Sequence, residues 1–313
     1  MKTSRVLIIS SLILLASSLF FMLFNSNGNW DFILPFRGKK LLLLLTVAYT
    51  IGVSTLLFQT LTNNPILTPS ILGFDSLYLL LQTVLVFLLG GLGFTQLPIA
   101  NKFAFETLLM LGAALLLFRT LTKDNADIAR MLLIGVVFGV FFRSVNNLLQ
   151  RMIDPEEFAV AQSSSFASFN NANPTLLTIG IIIALLSSIW IWTQRHKLDV
   201  LMLGKHKAIG LGINYNRFSH QLLICCALLV SVSTALVGPI LFLGLLVCAI
   251  VNAISPTMQH AIRIPLTFII SAITLVLGQA VFEQLFKLQG VLSVVIEFLG
   301  GIVFIYLMIK KQK

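Results

Sequence analysis

Few side chains in these 313 residues could do chemistry within the apolar runs that fill most of the chain. Arg143 and Glu297 fall in the middle of such runs, and Glu106 and Glu283 fall toward the ends of theirs, where water would keep them solvated. A charge held in hydrocarbon is costly, so an ionisable group there marks a transport path or a bond between helices. Arg143 is followed by Ser144, Asn146 and Asn147, a polar stripe that could face a path. Hydrogen bonding between helices of one subunit is the more ordinary use of such a stripe. Cys225, Cys226 and Cys248 lie in apolar runs with no His or carboxylate at ligand spacing, so they read as small buried hydrophobes, not a metal site. His196, His206, His220 and His260 fall near one surface, where a solvated imidazole is the ordinary case. An intramembrane enzyme would need His with Ser, or paired aspartates, inside the runs, and neither set occurs mid-run. No catalytic residue and no cofactor is expected.

The runs that must position these residues are roughly 6–24, 40–60, 74–91, 103–121, 130–150, 175–193, 220–237, 241–255, 265–284 and 292–309. A spanning helix needs about 20 apolar residues. Continuous rather than alternating hydrophobicity predicts helices and excludes a barrel. Composition agrees: 58% of residues are hydrophobic and 10% charged, with a mean hydropathy of +0.98, against about 25% charged in soluble domains. The expectation is an all-α, polytopic membrane protein of about ten spans. Residues 1–313 form a single integral domain, with no soluble loop longer than about 26 residues. The eighth run is the shortest, and follows a break at Gly238-Pro239.

Basic residues set the orientation. With the N-terminus inside, inner segments hold fourteen Lys and Arg and outer segments six, a positive-inside bias that puts both termini in the cytoplasm. The net charge of +10 then reflects topology rather than nucleic-acid binding, since no aromatic interleaving accompanies the basic residues. Met1 to Arg5 before an apolar run resembles a signal peptide, but the run is long and no small-x-small site follows, so it reads as a retained first span.

Three segments between the runs carry information. In Gln59 to Gly73, Pro65 and Pro69 forbid a regular helix. The segment is either an ordinary turn or irregular backbone packed against protein. The inner segment 194–218 contains Gly204-Lys205-His206-Lys207-Ala208-Ile209-Gly210-Leu211-Gly212, which reads as a short helix stopped by Gly212. Leu203, Ala208 and Leu211 would lie near one face, suited to the lipid interface or to a groove on a partner. In Val237 to Val247, Gly238-Pro239 breaks the helix and Gly244 permits close packing.

In this order the motifs resemble those of FecCD-type permeases, the membrane subunits of bacterial ABC importers for iron-siderophores, haem and cobalamin. Gln59 with Asn64-Pro65-Ile66-Leu67-Thr68-Pro69-Ser70-Ile71-Leu72-Gly73 is similar to the family's second-span signature. Leu203-Gly204, Ala208 and Leu211-Gly212-Ile213 resemble its cytoplasmic segment, and Gly238 to Leu245 resembles its Gly-Pro-Ile-x-Phe-x-Gly-Leu motif. The chain departs in having Lys205-His206 where the family has acidic residues, Cys248-Ala249 in place of Pro-His, and no aspartate around Gly278-Gln279. The segment Asp154-Pro155-Glu156-Glu157-Phe158 looks like the ferric-siderophore branch.

The resemblance implies a type II ABC importer architecture in the bacterial inner membrane. Two permease chains, identical or homologous, would enclose the path, with ATPase subunits below and a periplasmic substrate-binding protein above. No Gly-x-x-x-x-Gly-Lys-Ser/Thr segment occurs, so the ATPase is another chain. Gly204, Lys205, His206, Ala208, Leu211 and Gly212 would couple to it. Arg37, Lys39, Lys40 and Lys287 would meet the binding protein, and Arg143, Asn146, Asn147, Gln59 and Asn64 would line the path. The alternatives are a haem or cobalamin permease, or a secondary transporter, which would show repeated broken helices and acidic coupling residues.

Overall fold

The computed structural model describes residues 2–24, 30–122, 128–163, 165–170, 173–285 and 292–311. Among them the helices are α1 (Lys2–Leu23), α2 (Trp30–Thr62), α3 (Phe74–Gln96), α4 (Ile99–Thr122), α5 (Ile128–Met152), α6 (Pro155–Ser163), α7 (Pro174–Leu201), α8 (Lys205–Gly210), α9 (Tyr215–Val237), α10 (Leu243–Ile254), α11 (His260–Ala280) and α12 (Leu292–Lys311). Eight are long and apolar enough to cross a membrane, and α10 and α12 hold shorter apolar stretches. The ten expected runs fall on these ten helices, with α6 and α8 as short helices on opposite faces. Local signals start two of them. Asn173 caps α7 by accepting from the N–H groups of Thr175 and Leu176, with Pro174 at the first helical position, and Asn214 caps α9 through the N–H of Arg217.

Helix α2 is the central post, packed against α1, α7, α9, α10 and α11. Leu44, Val47 and Ala48 on its first half, and Val53, Leu56 and Leu57 on its second, are fully buried. It begins ten residues before the expected run, so Arg37, Gly38, Lys39 and Lys40 are helical rather than part of a loop. Pro35 lies inside the helix, past its first four residues, and has no N–H to give to the carbonyl four residues before it.

Three interruptions of helix are packed inside the protein. After Thr62 the chain folds back through a 3-10 turn at Pro69–Leu72 and Gly73, whose φ of +86° only glycine adopts without strain. This segment seats on the Gly135-Val136-Val137-Phe138-Gly139 stretch of α5. A Cβ on Gly135 would stand 2.9 Å from Leu72 Cα, and one on Gly73 would stand 2.8 Å from Gly139 Cα. Of the two readings open for this segment, the packed one is therefore the structure's. Helix α3 breaks at Gly90, and Glu157 of α6 accepts the Gly91 N–H at 3.2 Å. Between α9 and α10, residues 238–241 form no helix and Phe242 is left-handed at a φ of +60°, while Ser168 donates its N–H to Val237 O at 2.7 Å. The 12 residues of α10 cover only about 18 Å of a hydrocarbon core about 30 Å thick. Helix α10 meets α2 at Gly244, where a Cβ would come within 2.7 Å of Thr55 Cβ.

Two carboxylates expected to be solvated are instead held by protein. Glu106 is 2% exposed and accepts from Gln82 Nε2 at 2.7 Å, with Lys102 Nζ 3.9 Å away. Glu283 pairs with Lys40 and accepts from Gln279 Nε2 at 2.6 Å. Glu106 is cut off from water and needs donors from its neighbours, whereas Glu283 keeps 27% of its side-chain exposure.

The fit of the 63–73 segment onto α5 has a measurable consequence. Gly135→Ala forces backbone apart and should destabilise the protein by about 1–3 kcal/mol. Gly112→Ala, in a helix with nothing within 4 Å of the added Cβ, should be neutral or slightly stabilising. Thermal unfolding of both variants in detergent checks this, and equal midpoints would mean that the close approach carries no energy.

Candidate coupling site

The expected loop 194–218 is shorter than its sequence suggests, because α7 continues to Leu201 and α9 begins at Tyr215. Between them stands α8, six residues long, flanked by Gly204 and Gly212. Gly212 has a φ of +82°, the Ile213 N–H bonds Ala208 O at 3.0 Å, and the Gly212 N–H bonds Ile209 O at 2.9 Å. That is the glycine-terminated motif in which two orphan carbonyls are satisfied together. Ala208 is fully buried in the cluster that contains Leu198, Leu201, Phe218 and Leu222. Leu203 and Leu211, expected beside it, point outward instead, at 51% and 62% exposed. The helix is too short to carry one continuous face: Leu203 precedes it and Leu211 belongs to its cap. His206 and Lys207 are also exposed, while the Lys205 ammonium lies 5.6 Å from the centroid of the Tyr215 ring. The result is a small apolar and basic knob on one face of the molecule.

Directly behind the knob three helices are tied by one histidine. His260, in the first turn of α11, is fully buried rather than solvated. Its backbone N–H and its Nδ1 both lie 2.7 Å from Asp199 Oδ1 near the end of α7, so Nδ1 carries a proton. Its Nε2 lies 2.8 Å from Thr60 Oγ1 near the end of α2. Only two residues separate Asp199 from the turn that leads into α8. Three residues on from His260, and so on the same helix face, Arg263 is 4% exposed. Its guanidinium donates to Asn252 Oδ1 and approaches Met202 Sδ at 3.6 Å. Asn252 stands on α10, so α2, α7, α10 and α11 meet within this one cluster. Sequence reasoning passed over Asp199, Thr60, Asn252 and Arg263. The spacing of His260 and Arg263 at the head of an apolar run was the available signal.

The residues expected to line a path separate into two groups. Gln59 donates through Nε2 to Pro65 O at 2.7 Å, and Asn64 Oδ1 accepts the Ile66 N–H at 3.2 Å. Both border a cavity of about 320 Å³ shared with Met202, Asn252 and Arg263. Their amides thus hold the irregular backbone in place beside that cavity. Arg143 and Asn147 lie on the exposed side of α5, whereas Asn146 is buried.

On the opposite face, the basic residues in the first part of α2 are mostly committed to the protein's own structure. Arg37 Nη1 donates to Phe21 O, Met22 O and Phe24 O at 3.1, 3.0 and 2.7 Å, closing the last turn of α1. Lys40 is 5% exposed, paired with Glu283 and donating to Asn170 Oδ1 at 2.6 Å. A partner could not reach that ammonium, which corrects the reading of Lys40 as a docking group. Helical geometry explains the difference, since it turns Lys40 inward while leaving Lys39 exposed. Lys287 lies outside the described residues.

This architecture recurs in known proteins. An inward-facing conformation of a putative metal-chelate type ABC transporter matches 98% of this chain and 99% of its own, with a TM-score of 0.86 at 20% sequence identity. The petrobactin import system permease protein YclO of Bacillus subtilis is 47% identical over 295 residues, 93% of each chain. The petrobactin import system permease protein FatC of Bacillus anthracis is 33% identical, covering 88% of this chain and 78% of its own. The vitamin B12 import system permease protein BtuC of Yersinia enterocolitica is 26% identical, covering 91% of this chain and 83% of its own. A model of the FecCD transport family matches residues 5–310. With nearly its whole length matched, the chain belongs to the FecCD transport family and is a multi-pass membrane permease.

Proposed function

We propose that this chain is the membrane subunit of an ABC importer for a ferric siderophore, with petrobactin as the first chelate to test. The observation that carries the reading is the 47% identity to a petrobactin permease over 93% of both chains. The vitamin B12 and hemin permeases stand at 26% and 25%. In this reading a second permease chain completes the path, and a substrate-binding protein delivers the chelate at the face that carries α6. ATPase subunits engage α8 in the cytoplasm, where both termini also lie. Uptake of labelled ferric petrobactin by cells lacking their own permease, with and without this chain, tests the substrate. Uptake of ferric petrobactin no better than of vitamin B12 would refute it.

Helix α8 is the coupling element in this reading, supported by its exposed Leu203, Ile209 and Leu211 and by its short link to Asp199. Ala208→Leu, which overfills a fully buried site, should abolish uptake while the protein remains in the membrane. Asp199→Asn keeps the size of the side chain but removes the charge facing His260. It should lower transport more than it lowers ATPase association, because it loosens α7 from α11 behind the contact rather than at it. Uptake assays paired with co-purification read the two effects separately. Normal transport in both variants would rule out this route of coupling.

For the binding protein, Lys39 is the exposed basic group left at the start of α2. Lys39→Glu should weaken association with that partner at low ionic strength and have little effect at high salt, since exposed charge pairs mainly set encounter and are screened. Binding measured across a salt series checks this, and a constant affinity would exclude Lys39 from the interface.

A further inference from the structure

Beside the knob, on the outer flank of α7 and α9, two cavities adjoin. One, of about 410 Å³, is lined by Lys197 and Arg217 together with polar groups such as Gln194 and Asn214. The other, of about 340 Å³, is lined by Leu186, Ile224 and Leu228 over a floor of Ser187 and Cys225. Trp190 and Gln221 line both, so the two share a wall and make one groove of adjoining parts, cationic at the end near α8 and apolar farther in. No carboxylate lines either part. Among the described residues neither Lys197 nor Arg217 forms an ion pair.

The groove has the depth of one leaflet. Lys197 to Leu186 on α7, and Arg217 to Leu228 on α9, are each eleven residues, about 16 Å of helix, half of a hydrocarbon core about 30 Å thick. Trp190 stands at the junction of the polar and apolar parts, the position an interfacial indole favours.

We propose that this groove binds one anionic phospholipid from the leaflet on the α8 side, its phosphate between Lys197 and Arg217 and an acyl chain along α7 and α9. Charge complementarity selects the headgroup, and the adjoining apolar cavity distinguishes a lipid from a free anion. Basic pockets between spans recognise anionic headgroups in this way. Gly212, Ile213 and Asn214, which join α8 to α9, line the headgroup end. A bound lipid would therefore brace the link between the knob and the membrane.

The test uses the importer purified whole and exchanged into phosphatidylcholine nanodiscs with or without phosphatidylglycerol, with retained lipid read by native mass spectrometry. The unaltered protein should retain phosphatidylglycerol over phosphatidylcholine, and Lys197→Gln with Arg217→Gln should lower that retention about 30-fold. Leu228→Trp, which fills the apolar part, should also lower it with both cations intact. Equal retention of the two lipids, or undiminished retention in the double Gln variant, would overturn the proposal. So would equal protection against unfolding by soluble glycerol phosphate, which marks an anion site without a lipid. Retention seen only after the ATPase is stripped away would assign the surface to that subunit instead.

Discussion

Hydrocarbon offers no hydrogen bonds, and every departure from regular helix in this chain has to be answered from within the protein. A polar group buried without a partner costs a few kcal/mol, comparable with a large part of a domain's net stability. The interruptions at 63–73, at Gly90 and at 238–242 accordingly each pack against neighbouring segments, with Pro69, Leu72 and Gly73 of the first and Gly238 to Ile240 of the last buried. Gln59 and Asn64 supply side-chain amides to the first, and Glu157 supplies a carboxylate to the second. A segment from another part of the chain bonds Val237 beside the third. In each case a polar side chain or distant backbone stands where water would otherwise be required.

The same constraint gathers the charges. Lys40 with Glu283 on one face, and Asp199 with His260 on the other, are pairs in which at least one member is almost wholly removed from solvent. Such pairs add little net stability over apolar residues of similar size, but losing one partner is costly. Their value is positional. Lys40 fixes the first part of α2 to the 165–170 segment and to the turn after α11, and His260 fixes the far end of α2 to α7. The central helix is thus held at both ends by polar contacts and along its length by apolar ones.

Much of this was legible in the sequence, where continuous apolar runs demand helices and the glycines and prolines mark their breaks. The position of α8 and its termination at Gly212 followed from local chemistry alone. What periodicity could not give was rotation about each helix axis. Lys40 stands at the start of the apolar run and so looks like a surface group, yet the helix begins ten residues earlier and turns the ammonium inward. His260 looks solvated in sequence because it falls near the inner surface, whereas its neighbours in space are Asp199 and Thr60, 61 and 200 positions away. The Gly135 and Gly139 pair carried a legible small-residue spacing, but nothing in the sequence said which segment would lie against it.

The brevity of α10 bears on how the protein is made. A 12-residue apolar helix is too short to hold a stable place in a bilayer by itself. Its Gly244 surface is matched to Thr55 on α2, a helix synthesised nearly two hundred residues earlier. During biogenesis α10 has nowhere to settle until α2 is already upright and presenting that face. The order of synthesis supplies this template in advance, since α2 precedes α10 in the chain.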